Sequence, residues 1–235
     1  MNITKNYTID YKKINELSLI AKSLPPNIFN KSKYFKNVKD LFWRVTNLEE
    51  KYKILVGIIT DSEVRADELI AIRNSGGIKA LDEELSKGKS GFFAIMYGSD
   101  GVTIHFSNKK IDTAPQDYIS RYSELLETLK YLLADIYNDQ LDNRDSFNKF
   151  ILLKKPQVAQ YFNFDYLTDF NKYLWNEQKH QSNISVTPLT YTSNGFVVPE
   201  IRAEGRFKRQ NLETCLDESL ENMVELFKFV LSNAI

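Results

Sequence analysis

The chain has 235 residues, 43% of them hydrophobic and 26% charged, and its 31 basic and 31 acidic side chains cancel to a formal charge of 0. Such a chain is long enough and apolar enough to bury a substantial core, which excludes extended disorder, and its neutrality argues against a generic polyanion binder. With 1 Cys and 2 His it has no disulfide framework and no four-ligand Cys/His zinc site, whereas 15 Phe, 13 Tyr and 2 Trp supply ample contact surface.

The start, MNITKNYTIDYKK, is polar and lacks the apolar segment of an export signal, and no stretch approaches 18 apolar residues. A soluble, cytoplasmic protein without a membrane span is expected. Asp10 is placed to cap a helix from Tyr11 to Leu24, with Ile14, Leu17, Ile20 and Ala21 on one side and Pro25 and Pro26 as its stop. Residues 33–45 suggest a short second helix, and the basic cluster Lys31, Lys33, Lys36 and Lys39 gives a polar helical face. The β-branched run from Ile54 to Thr60 reads as a buried strand. A helix follows from Asp61 or Ser62 to about Arg73, ended by Gly76 and Gly77, and a further short helix covers Ile78 to Ser86.

GFFAIMYGSDGVTIHFS reads as a β-hairpin, with arms at Phe92–Tyr97 and Val102–Phe106 and turn chemistry from Gly98, Asp100 and Gly101. Residues 116–137 form the strongest helix signal, with Pro115 at its start. Helices are also expected at Asp142–Leu153, at 165–178 and at 211–232, the last with Asn211 as cap. The segment 183–209 reads as extended structure, interrupted by Pro188, Gly195 and Pro199. The expected fold is α+β: a small, mainly antiparallel sheet from 54–60, 92–97, 102–106 and the 184–207 region, packed against several amphipathic helices. One domain over 1–235 is expected, with a possible internal subdivision near 108–115.

Three clusters carry candidate chemistry. Asp61, Glu63 and Asp67 gather carboxylates at an expected strand-to-helix junction, a setting that suits Mg²⁺, although acidic residues also favour a first helical turn without a metal. IRAEGRFKRQ places Arg202, Arg206, Lys208 and Arg209 around Phe207, with Gly205 able to bring backbone close to a ligand. Arginines suit phosphate contacts and an exposed aromatic stacks on a base, while a basic edge strand that resists aggregation is the simpler account. FNFDYLTDFNKYLW sets Tyr166, Phe170 and Tyr173 roughly on one side of a helix, an aromatic margin for a protein interface. His105 lies on the less hydrophobic side of its strand, a candidate base or proton donor. Lys89 in GKSG invites comparison with a phosphate loop, but the upstream glycine is missing and Gly91 leads into a strand. No GxSxG, HExxH or Rossmann glycine pattern occurs.

The leading expectation is a binding or regulatory protein acting on another protein through Tyr166, Phe170 and Tyr173, with no cofactor. The alternative is an Mg²⁺-dependent enzyme on a phosphate-containing substrate or nucleic acid. There Asp61, Glu63 and Asp67 hold the metal, His105 or Lys89 assists proton transfer, and the arginines position phosphate. A third reading is a non-catalytic nucleic-acid-binding module built on Arg202–Arg209.

Overall fold

A computed structural model describes residues 11–24, 38–87, 95–98, 101–106, 109–136, 150, 153, 156, 158–181, 184–187, 189–192, 195–197 and 199–234. Asp10, Lys89 and most of the expected helix at 142–153 lie outside them. The fold is α+β, mostly helical, with small antiparallel sheets.

Helix α1 (Lys12–Ser23) buries Ile14, Leu17 and Ala21, as its spacing predicts. Helix α2 (Val38–Ser86) overturns the expected strand at 54–60. Between Leu41 and Leu69 it buries Leu41, Val45, Leu48, Tyr52, Leu55, Ile59, Ser62, Ala66 and Leu69 along one seam, with Val56 beside it. The seam positions alternate steps of four and three, the heptad pattern of a helix seam. A β-branched residue lowers helix propensity by less than about 1 kcal/mol. Burying Leu55, Val56 and Ile59 in the common core outweighs that preference.

Helix α3 (Lys109–Ile136) runs antiparallel to α2. Arg44 Nη1 reaches the Glu124 carbonyl (3.4 Å), Lys51 pairs with Asp117 (3.4 Å), and the Tyr52 and Tyr118 rings lie 6.4 Å apart. Position rises along one helix as it falls along the other. The helix begins before Pro115, which therefore sits inside it and not at its start.

At Gly77 (φ 74°, ψ −170°) α2 breaks. Arg65 Nη2 and Glu84 Oε1 are 2.8 Å apart, whereas 19 residues of unbroken helix would separate them by about 28 Å. Residues 78–86 thus fold back on the 62–76 stretch. A Cβ on Gly76 would lie 2.5 Å from that of Ala80, so both glycines of the expected stop serve the turn.

The hairpin appears as β1 (Ile95–Gly98) and β2 (Gly101–Phe106), paired Tyr97↔Val102 and Gly98↔Gly101. β2 also pairs with β4 (Leu189–Thr192), which pairs with β5 (Gly195–Val197). Of the late strands, β4 and β5 thus join the early hairpin. A separate sheet contains β3 (Ser185–Val186), β6 (Glu200–Arg202) and β7 (Lys208–Asn211), in the order β3-β6-β7.

Helix α4 (Phe164–Asp169) is capped by Asn163 Oδ1, which accepts from the Tyr166 N–H. It passes into a π-helix (Phe170–Trp175) and then α5 (Asn176–Gln181). Helix α6 (Leu212–Ala234) has the expected cap: Asn211 Oδ1 accepts from the N–H groups of Glu213 (2.9 Å) and Thr214 (3.3 Å). One buried cluster runs from Ile14 to Val230 and draws on residues from both sides of 108–115. No helix among the described residues is long and apolar enough to cross a membrane.

Candidate functional site

The three carboxylates of the acidic cluster share one helix, α2. Residues two apart on a helix point to different sides, so Asp61 and Glu63 diverge, while Glu63 and Asp67, one turn apart, share a face. Partial burial, and then the charge of Asp67, raise the Glu63 carboxyl above the usual carboxylate range. Among the described residues no group of three His, Cys, Asp or Glu is placed to hold a metal ion. His105 stands on β2 opposite Thr190 of β4.

The aromatic band is core. Tyr166 and Phe170 are buried, which corrects the expectation that they face a partner. Phe170 packs on Tyr122 (4.1 Å between centroids) and edge-on to Phe207, and the Tyr166 hydroxyl donates to the Cys215 carbonyl (3.2 Å). Helical spacing shows which side chains share a side; it does not show whether that side faces the core. Of the three, Tyr173 alone is partly exposed, and its ring supports the turn beyond β6. A Cβ on Gly205 would approach that ring to 2.5 Å, and Gly205 has φ +59°. The close approach expected at Gly205 is therefore made to the chain's own Tyr173.

The basic segment folds into a hairpin: β6, a 3-10 turn (Gly205–Phe207), then β7. Ile201 and Phe207 are buried and fasten it to the core. Phe207 stands edge-on to Tyr166 at 5.6 Å, so it offers no exposed ring. Arg202 lies directly opposite Lys208, and Ile201 opposite Gln210, which leaves Arg209 as the extra residue of a bulge. Arg209 has φ 56°, the left-handed region that bulky residues rarely enter, a strain of the kind found at functional sites.

Arg202, Arg206, Lys208 and Arg209 are all exposed. The Arg206 guanidinium covers the Tyr166 ring (5.1 Å) and stands 3.9 Å from Asp169. The other three make no ion pair among the described residues. Like charges directly opposite across a strand pair repel, typically by a few tenths to about 1 kcal/mol. The hairpin thus carries unneutralised cations on a base held by Ile201 and Phe207. Such a surface takes carboxylate or phosphate groups, the arginines through paired hydrogen bonds.

The sequence points to these four cations because they fall within eight consecutive residues. It gave no sign of Tyr166 and Asp169 as the groups that steer Arg206, because they come from a helix remote in the chain. No family model matches this chain, and no curated protein or solved structure matches it.

Proposed function

We propose that this chain is a binding protein that takes an acidic segment of another protein on the β6–β7 hairpin. The observation that carries the reading is the Arg202–Lys208 pair, opposed across the strands with no described carboxylate within ion-pair distance of either, although Glu200 and Glu204 lie on the same hairpin, beside the bulged Arg209. Repulsion within this pair is relieved when a partner brings negative charge, so binding gains what the free hairpin lacks. Base stacking is not supported, because Phe207, the one aromatic of the segment, is buried. A cytoplasmic setting accompanies the reading, supported by the single, unpaired and buried Cys215.

The test is titration of a short fluorescent Glu/Asp-rich peptide, and separately of a single-stranded oligonucleotide, followed by anisotropy at low and moderate salt. The peptide binds, salt weakens it, and the double variant Arg202→Glu/Lys208→Glu loses at least about tenfold in affinity, or about 1.4 kcal/mol. Absence of peptide binding at low salt, or affinity unchanged in the double variant, overturns the proposal. Oligonucleotide binding tighter than peptide binding transfers the hairpin to the nucleic-acid reading.

A further inference from the structure

Helix α2 carries a second stripe on its outer side. Its core seam steps by four and three, and the residues two beyond each seam position stand about 200° further round the helix, away from the core. Trp43, Ile54 and Val64 hold such positions and are 60%, 40% and 55% exposed. Gly57 lies between Ile54 and Val64 on the same stripe, and a Cβ added there meets nothing within 4 Å. The backbone of another chain can therefore come close at that point. The stripe keeps the spacing of the seam, the 3.5-residue repeat along which a second helix winds.

The charge of the stripe has one sign. Glu50, Asp61 and Glu68 alternate with its apolar members and are exposed. Glu68 is held by Arg65 (2.7 Å), whereas Glu50 and Asp61 make no ion pair among the described residues. The cations beside the stripe are engaged elsewhere. Lys51 pairs with Asp117, Lys53 with Glu49, and Arg65 with Glu84 as well as Glu68. From Trp43 to Glu68 the helix has six carboxylates against four Lys and Arg, so the excess is negative.

We propose that this stripe docks an amphipathic helix of a partner protein, with lysine or arginine beside its apolar face. The spacing selects a helix, because only a helix repeats its own side chains with the same period. Trp43, Ile54 and Val64 take its apolar face, and Gly57 lets the two backbones approach between them. Glu50 and Asp61 select cations, and the same carboxylates repel nucleic acid or an anionic bilayer. The stripe is opposite in sign to the β6–β7 hairpin and stands independently of it.

The probe is a synthetic amphipathic helix of leucine and lysine, titrated into the full chain beside a counterpart of leucine and glutamate. In a Trp175→Phe background Trp43 is the one tryptophan, since the chain has 2. Saturable binding of the lysine peptide below about 100 μM is expected, with a blue shift of Trp43 emission and weakening by salt. The glutamate peptide binds at least about tenfold more weakly. Glu50→Lys/Asp61→Lys reverses that preference, a swap that unspecific adhesion does not produce. Gly57→Leu, which the helix tolerates, weakens the lysine peptide by at least about tenfold. Circular dichroism confirms that the variants fold. No saturation by about 1 mM lysine peptide, equal binding of the two peptides, an unreversed preference in the charge variant, or unchanged affinity in Gly57→Leu each overturns the proposal. Tighter binding to phosphatidylglycerol vesicles than to the peptide overturns it in favour of a lipid surface.

Discussion

Substitution of Gly57 by alanine separates the helical α2 from the strand that its composition suggests. Gly57 lies within α2, its φ is not positive, and an added Cβ meets nothing within 4 Å. No clash or backbone strain therefore opposes the change. Replacing glycine by alanine inside a helix gains about 0.8–1.0 kcal/mol, largely by restricting the unfolded chain. For a chain of this length that corresponds to a rise of about 2–4 °C in melting temperature. Gly57→Val makes the comparison decisive. In a helix valine trails alanine by about half a kcal/mol, whereas in a buried strand it leads by up to about 1 kcal/mol. Urea unfolding followed by far-UV circular dichroism, with unchanged slopes, gives the three stabilities. The order alanine, valine, glycine is expected. Valine above alanine, or alanine no better than glycine, refutes the argument that the heptad seam of α2 overrides the β-branched run.

Three more outcomes follow from particular side chains. Gly205→Ala lowers stability by about 1–2 kcal/mol for the left-handed backbone alone, and by more for the contact with Tyr173; a loss well below that in chemical denaturation contradicts the turn. Burial pushes the Cys215 thiol up to about 12, so a thiol reagent at mildly alkaline pH leaves the native protein unmodified and reacts after unfolding; a native rate equal to that of a free thiol rules out the burial. Burial and then Asp67 raise the Glu63 carboxyl, so the folded chain holds that proton more tightly than the unfolded chain, and stability falls as pH rises from the ordinary glutamate range through the raised value. Glu63→Gln is accordingly more stable than the parent near about pH 7 and equal to it below about pH 4, in melts across pH at low salt; an equal difference at both ends refutes the assignment.

The elements that the sequence displays plainly are those whose signals are local and agree with their surroundings. Asn211 caps α6 because a short polar side chain precedes an amphipathic run, and both signals lie within a few residues. The β1–β2 hairpin shows because glycines mark its turn between two β-prone arms. Ile54–Thr60 misleads because a seven-residue window sees mostly β-branched side chains. The 4-3 alternation that makes them helical emerges only over Leu41 to Leu69. Tyr166 and Phe170 mislead for another reason: an aromatic face toward a partner and one toward the core have the same spacing, and only the packing partners Tyr122 and Phe207 decide.

The two proposed sites differ in legibility for the same cause. The hairpin cations fall within eight consecutive residues, so charge and strand propensity bring them into view together; the bulge that lifts Arg209 does not, since an arginine carries no sign of positive φ. The stripe on α2 draws Trp43, Glu50, Ile54 and Asp61 from positions spread over several turns, and none is unusual in its own neighbourhood. The π-helix joins the hairpin to the core. Tyr173 supports Gly205 beneath the cationic hairpin, and Phe170 and Leu174 enter the core, all within one widened stretch. A regular α-helix repeats its faces every three or four residues. The i→i+5 turn alters that spacing across Phe170, Tyr173 and Leu174, of which Tyr173 meets the hairpin while Phe170 and Leu174 enter the core. Its signature is in the packing around it rather than in the composition of FNKYLW.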